Sequence, residues 1–173
     1  HWTRHGLATL LQAEATDTRA ISLWAWATQR LLATAEHCAE IDPSAMFVAG
    51  HSRLGKAALW AAAHDHRIKA VFAAHSGCAG AAPARQPVGE TPAELTQRFP
   101  HWTRPDWANT PAQDLPTDQH ALLAAIAPRG VYLAAAEEDT WADPLGSYAA
   151  LRAAAQVWVG EQDWPSALKV LAE

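Results

Sequence analysis

The fold is decided by the stretch Ala45-Met46-Phe47-Val48-Ala49-Gly50-His51-Ser52-Arg53-Leu54-Gly55. The apolar run at 45–49 predicts a buried strand, and residues 56–64 predict a helix. Between them, the pattern Gly-x-Ser-x-Gly predicts a sharp strand-to-helix turn, a nucleophile elbow with Ser52 at its tip. Glycines on both sides of the serine fit such a turn because they avoid Cβ clashes.

Further strands and helices alternate along the chain on either side of this turn. Apolar residues spaced by three and four predict a helix over 18–40, with Asp17 or Thr18 as its N-cap, ended by Asp42-Pro43-Ser44. The other predicted elements are strands at 70–74 and 130–135 and helices at 118–127, 145–158 and 165–172. Residues 1–16 carry weak signals, and 76–116 predict a long irregular segment of the kind that is often functional.

This alternation predicts βαβ units, and therefore an α/β-hydrolase three-layer sandwich with a mostly parallel sheet. Residues 1–173 are expected to be part of one catalytic domain, without its N-terminal strands and its C-terminal segment. Because the chain begins with His1 and not Met, its natural N-terminus is expected to be missing. Ser52, His75 and Asp139 each follow a predicted strand, so they should share the edge of the sheet where ligands bind.

Composition argues against several classes of partner. The 173 residues carry a formal charge of −5 and no block of like charges, so neither nucleic acid nor an anionic membrane is predicted as a partner. No apolar run is long enough to span a bilayer. Two cysteines define no disulfide framework, and Cys38 is expected to be a small buried residue.

Ser52 is the candidate nucleophile. In an elbow, the N–H of the next residue, Arg53, points toward the developing oxyanion, and the helix N-terminus adds a positive potential. The alternative is a glycine-rich turn that carries an ordinary serine. A serine nucleophile also needs a base and an acid that orients the base.

The acid is expected after the strand at 130–136, where Glu137-Glu138-Asp139 stands. Asp139 is the first choice and Glu138 the second, and the alternative for Asp139 is simple solvation at a strand end. No histidine follows Asp139, so either the sequence is truncated before the base or the base comes from an unusual place. His75 and His120 are the in-chain substitutes, and the favoured alternative for each is a packing or substrate-side histidine.

With these residues in place, the chain resembles the glucuronoyl esterases, carbohydrate esterase family 15, of bacterial type. The resemblance covers about residues 20–147 and is sharpest around the elbow and around Asp139-Thr140-Trp141-Ala142-Asp143-Pro144. It includes Trp24-Ala25-Trp26, Val48 to Trp60, Asp65-His66-Arg67, Ser76 to Gly80, Gly89-Glu90-Thr91, Arg98 to Trp102, Leu115 to His120 and Ile126 to Arg129.

The resemblance implies a reaction and roles for particular residues. It implies cleavage of esters between xylan-borne glucuronic or 4-O-methylglucuronic acid and lignin alcohols, with no metal or other cofactor. Ser52 matches the nucleophile, Arg53 the arginine whose side chain completes the oxyanion hole, and Asp139 the acid. Lys56 matches a lysine that contacts sugar hydroxyls, Glu90 a glutamate that binds the uronate, and Trp141 the tryptophan over the sugar.

Two departures from the family pattern matter. Many members carry a glutamate where this chain has His75, so the acid role would fall wholly to Asp139. The family's catalytic histidine lies beyond residue 173, so the 173 residues alone are expected to be inactive. Without the resemblance, Lys56 reads as a solvated helix residue, Glu90 as a surface acid and Trp141 as packing.

Two other functions stay open. One is a related acyl esterase acting on acetylated xylan, which needs no uronate pocket. The other is an inactive carbohydrate-binding remnant, which the lack of a base favours. A lignocellulose substrate would place the protein outside the cytoplasm, secreted or periplasmic.

Overall fold

The computed structural model describes residues 6–12, 17–85, 88–158 and 168–172, the last range by its backbone alone. Its centre is a sheet of four parallel strands in the order β1-β2-β3-β4. These strands are β1 Phe47–His51, β2 Ala70–Ala74, β3 Gly130–Ala135 and β4 Leu168–Ala172. The parallel sheet confirms the predicted fold class, and β2 and β3 match the predicted strands residue for residue.

Two strands differ from the prediction. β1 begins two residues later than expected, because Asp42 caps a short 3-10 turn at Pro43–Ala45 that takes up the start of the run. The helix predicted at 165–172 is wrong over Leu168–Ala172, which pairs with β3 as β4. The pairing with the edge of an existing sheet overrides local propensity there. Residues 165–167 lie outside the described residues.

Seven helices flank these strands in the described part of the chain. They are α1 Gly6–Leu10, α2 Ala20–Ala35, α3 Arg53–His64, α4 Pro92–Arg98, α5 Pro105–Asn109, α6 Gln119–Ala124 and α7 Pro144–Ala155. α4 and α5 lie within the segment predicted to be irregular. α4 begins with a capping box, in which Thr91 and Glu94 satisfy each other's backbone N–H groups, and Pro92 takes the first helical position.

The bounds of α2 correct two expectations. Its N-cap is Arg19 rather than Asp17 or Thr18, and the Asp17 carboxylate instead pairs with Arg19 and Arg104. The helix ends at Ala35, before Cys38, so Cys38 is exposed and not buried as predicted.

The core lies between the sheet and the helices α2, α3, α6 and α7. Its fully buried side chains include Leu59, Ile68, Val71, Leu123, Ile126, Val131 and Leu151. Burying each such side chain contributes roughly 1.5–3 kcal/mol before entropy is counted. On α3, the completely buried Ala61 and Ala62 keep the helix close to the strands.

Strands β1, β2 and β3 are buried on one face, whereas the sequence predicted buried strands. Val71 in β2 is inaccessible, but the next residue, Phe72, is 44% exposed, and Phe47 in β1 is 57% exposed. Period-2 alternation puts these phenylalanines on the opposite face from the core. In the described part of the chain, no helix is long and apolar enough to cross a membrane.

Candidate active site

Ser52 sits on the predicted elbow, between the last residue of β1 and the first residue of α3. Its backbone has φ 54° and ψ −123°, a region that non-glycine residues rarely adopt. A Cβ added to Gly50 would lie 2.2 Å from the Leu54 carbonyl oxygen, so only glycine allows the chain to turn this tightly. The Ser52 N–H donates to the Ala74 carbonyl oxygen at 2.8 Å, which anchors the turn to β2.

The exposed Ser52 opens onto a polar cavity of about 300 Å³ at the carboxyl edge of the sheet. The residues from the sequence analysis that line it are Ser52, Arg53, Lys56, His75, Glu90, Asp139 and Trp141. A larger, mostly apolar cavity of about 600 Å³ adjoins it and shares His75 and Ala142 with it. The smaller cavity is the candidate site, because it holds the nucleophile and the charged side chains.

Glu138 and His120, the alternative acid and base, do not line this cavity. Both side chains are exposed, Glu138 in the loop after β3 and His120 on α6. Of the two carboxylates considered, Asp139 is therefore the one placed in the cavity with Ser52. Within the described residues, no group of three or more His, Cys, Asp or Glu side chains could hold a metal ion.

Arg53 is held beside the nucleophile by an aromatic cluster. Its guanidinium carbon lies 5.7 Å from the centre of the Trp102 ring, a cation–π distance. Trp102 is buried, stacks on Phe99 with ring centres 3.8 Å apart, and meets Trp24 edge-on at 5.9 Å. The fixed indole therefore keeps an always-charged group near the mouth of the elbow.

Lys56 is a buried cross-link rather than a solvated helix residue. Only 3% of it is exposed, and its Nζ donates to the Ser76 carbonyl oxygen at 2.8 Å, to Glu90 Oε2 at 3.2 Å and to the Cys78 carbonyl oxygen. Burial lowers the pKa of Lys56, and the attraction of Glu90 opposes that shift. The ammonium thus already has three protein acceptors, so a sugar hydroxyl would have to replace one of them.

Cys78, whose carbonyl oxygen accepts from Lys56, does not act as a second nucleophile. Burial raises the pKa of its thiol to about 12, so it stays protonated at neutral pH. Cys78 contributes to the site through its carbonyl oxygen, which accepts a hydrogen bond from the Lys56 ammonium.

Trp141 and Glu90 are joined through their backbones. The Glu90 N–H donates to the Trp141 carbonyl oxygen at 3.1 Å. The preceding Gly89 has φ +76°, and a Cβ there would lie 2.2 Å from the Thr140 carbonyl oxygen, so a side chain would separate the two loops. Arg98 also lines the cavity, and its guanidinium carbon lies 4.6 Å from the centre of the Trp141 ring. Sequence reasoning did not assign Arg98, although it stands in the motif that continues to Trp102.

Asp139 accepts a hydrogen bond from His75, with 2.6 Å between Oδ2 and Nδ1. Its other oxygen accepts from the Ala142 N–H at 3.3 Å, since Asp139 caps the 3-10 turn Thr140–Ala142. Sequence reasoning named both residues but not their contact. The signal that could have found it is their position after neighbouring parallel strands, whose ends meet at one edge.

Comparison with known proteins gives consistent matches. The family model described as "Glucuronyl esterase, fungi" matches residues 9–160. The "Carbohydrate esterase MZ0003" of an unknown prokaryotic organism is 38% identical over 160 residues, which are 87% of this chain and 37% of that protein. The "4-O-methyl-glucuronoyl methylesterase 1" of Sodiomyces alcalophilus is 33% identical over 80% of this chain and 30% of its own length.

Solved structures match in the same way. A structure described as a promiscuous esterase of carbohydrate esterase family 15 from the marine bacterial metagenome superposes with a TM-score of 0.79 at 37% identity. The match covers 87% of this chain and 40% of that one. The chain therefore spans less than half the length of these relatives. Together with the geometry at Ser52, the match of the family model to most of the sequence shows that this chain belongs to the glucuronoyl esterase family.

Proposed function

We propose that the whole protein hydrolyses esters of glucuronic and 4-O-methylglucuronic acid, as they link glucuronoxylan to lignin alcohols. The observation that carries this proposal is one cavity lined by Ser52 on its strained turn together with Arg53, Glu90, Asp139 and Trp141. The similarity to the Sodiomyces alcalophilus protein, a 4-O-methyl-glucuronoyl methylesterase, supports the substrate class. Because lignocellulose lies outside the cell, we also propose that the protein is secreted or periplasmic.

The reaction proceeds through an acyl-enzyme on Ser52. Oγ attacks the ester carbonyl carbon while a base takes its proton, and the carbonyl oxygen becomes an oxyanion. The Arg53 N–H and guanidinium stabilise that oxyanion, and the tetrahedral intermediate collapses as the alcohol leaves with the proton from the base. Water then attacks the acyl carbon, with its proton taken by the same base. The uronic acid leaves, and Ser52 regains its hydrogen.

We propose that the base is a histidine outside residues 1–173 and that Asp139 orients it. An imidazole that becomes charged in the transition state is stabilised by a carboxylate aligned with its N–H group. Asp139 lines the cavity with Ser52 and has one oxygen engaged only by a long contact to the Ala142 N–H. That oxygen has capacity left for an imidazole.

On the sugar side, Glu90, Lys56 and Trp141 form the uronate-binding wall. A carboxylate accepts hydrogen bonds from sugar hydroxyls, and an indole half-exposed at 40% offers a flat apolar face to a sugar ring. Lys56 sets the position of Glu90 through their 3.2 Å ion pair. An esterase that recognises only an acetyl group needs none of these residues.

The substrate class is tested with purified whole protein and matched esters. We expect hydrolysis of methyl and benzyl glucuronate, with a much lower kcat/KM for acetylated xylan and for 4-nitrophenyl acetate. Methyl galacturonate, which differs only at C4, serves as a control for sugar recognition. Cleavage of acetyl esters together with no cleavage of glucuronate esters would contradict the proposal and favour a general acyl esterase. The acetyl esters are included because one similar structure is of an esterase described as promiscuous.

Replacing Arg53 with alanine should lower kcat on benzyl glucuronate by roughly 100- to 1,000-fold, the usual cost of removing one oxyanion-hole donor. The change removes the guanidinium but keeps the backbone N–H, so the loss reports on the side chain alone. Steady-state kinetics provide the measurement. Arg152→Ala on α7 is the control, because this arginine does not line the cavity. Unchanged kcat in Arg53→Ala would remove the side chain from the mechanism.

A further inference from the structure

None of the proposed reaction steps at Ser52 uses the hydrogen bond between His75 and Asp139. Its donor and acceptor atoms are 2.6 Å apart, a short bond for a nitrogen and a carboxylate oxygen. The two side chains are only 27% and 33% exposed, and both line the cavity that holds Ser52. A contact this short at the edge of a polar cavity constrains both groups.

The His75 side chain makes its hydrogen bond to Asp139, in the segment that follows β3, and not to Ser52. β2 lies between β1 and β3, and His51 pairs with Ala74, so Ser52 and His75 follow as the next positions on neighbouring strands. The His75 ring bonds to Asp139, which follows β3 on the other side. No hydrogen bond joins the Ser52 hydroxyl to His75 in the described part of the structure.

The backbone of His75 is held in an uncommon conformation to make this contact. Its φ of 49° lies in the left-handed region, which costs energy for a residue with a Cβ. The N–H of His75 donates to the Ala134 carbonyl oxygen at 2.7 Å, and its ring lies against that of His51 with centres 5.2 Å apart. The bond to β3 thus holds the His75 backbone, and the His51 ring packs against the imidazole.

For Asp139, the consequence is a carboxylate with a defined plane. Oδ2 is occupied by His75, and the contact of Oδ1 with the Ala142 N–H is long at 3.3 Å. If the His75 donor were lost, the carboxylate would keep only that weak contact and could rotate about its Cβ–Cγ bond. An acid that orients a base has to present one lone pair in a fixed direction.

We propose that His75 is a positioning residue, whose Nδ1–H holds the Asp139 carboxylate in the orientation that aligns the base with Ser52. The inference rests on the proposed ester hydrolysis at Ser52. His75 acts through Asp139 and does not itself take the serine proton. Its role is to fix one carboxylate oxygen so that the other serves the base.

Two variants of the same shape separate this role from the alternatives. Asparagine places an amide nitrogen near the position of Nδ1, so His75→Asn retains a donor to Asp139 but loses the rest of the ring. His75→Leu has the same branching and no donor. Both are made in the whole protein and assayed on the ester that the wild type cleaves fastest, so that the outcome does not depend on the substrate class.

We expect His75→Leu to lower kcat by roughly 10- to 100-fold, the rate equivalent of one hydrogen bond to a charged group, with KM changed by less than about threefold. His75→Asn should recover kcat to within about threefold of the wild type. Adding His75→Leu to Asp139→Asn should cost no more than Asp139→Asn alone, because both changes remove the same alignment. If His75→Leu folds poorly, His75→Asn still decides: kcat within about threefold of the wild type supports the positioning role, and a loss as large as that of Ser52→Ala overturns it.

Two results would overturn the inference. If His75→Asn and His75→Leu both lose as much activity as Ser52→Ala, His75 is the base. If both keep wild-type kcat, the hydrogen bond has no part in catalysis. Either result leaves the proposed ester hydrolysis intact, whereas a wild type that cleaves no ester would remove the proposed function itself.

Discussion

Ser52→Ala in the whole protein is expected to lower kcat/KM for benzyl glucuronate by roughly 1,000-fold or more. Alanine removes the one oxygen that can form the acyl-enzyme and leaves the cavity otherwise unchanged. The KM of any residual activity should stay near the wild-type value, because the sugar contacts come from other residues. Steady-state release of benzyl alcohol provides the measurement.

A matched serine shows whether the loss is specific. Ser44 is exposed in the 3-10 turn at Pro43–Ala45, where its hydroxyl donates to Asp42 at 2.7 Å, and it does not line the cavity that holds Ser52. Ser44→Ala should therefore keep full activity. Substantial turnover by Ser52→Ala would mean that another group attacks the ester and that the elbow is structural.

Lys56→Met should lower the free energy of unfolding by about 3–5 kcal/mol, the usual cost of removing one partner of a buried ion pair. Methionine has a similar length and no branch, so it fills the space but leaves the Glu90 carboxylate buried without a cation. The carbonyl oxygens of Ser76 and Cys78 lose their donor at the same time. Denaturant unfolding of the whole protein, followed by fluorescence, measures the change.

Two further variants serve as controls for the unfolding experiment. Lys69→Met removes an exposed lysine just before β2 and should alter stability by less than about 0.5 kcal/mol. Lys56→Met combined with Glu90→Gln should recover part of the loss, because the buried charge is then gone. Wild-type stability in Lys56→Met would contradict the account of Lys56 as the cross-link beneath the site.

Local pattern was enough to predict the part of the fold that carries the nucleophile. Short apolar runs bounded by turn residues gave β2 and β3 to the residue, and the glycines around Ser52 gave the elbow. The sequence analysis does not predict α4, although Thr91-Pro92-Ala93-Glu94 is a capping box, because no periodic apolar run follows the box. β4 was predicted as a helix because its strand state depends on pairing with β3, which a local pattern does not contain.

The candidate site could also be predicted only in part. The sequence identifies Ser52, Arg53, Asp139 and Glu90 as separate candidates, and the structure shows that they line one cavity. The acceptors of Lys56 could not be predicted, because two of them are backbone carbonyls 20 and 22 residues away. The bond between His75 and Asp139 joins residues 64 positions apart, and it depends on how each side chain turns after its strand.

The central claim, that Ser52 is the nucleophile, is tested most directly by covalent labelling. A fluorophosphonate reacts with an activated serine hydroxyl, forming an oxygen–phosphorus bond and releasing fluoride, and peptide mass spectrometry identifies the labelled residue. We expect the esterase activity of the whole protein to fall in proportion to the label on Ser52, and we expect excess methyl glucuronate to slow both labelling and inactivation. Full activity in protein whose Ser52 is labelled, or inactivation with Ser52 unmodified, would show that Ser52 is not the nucleophile.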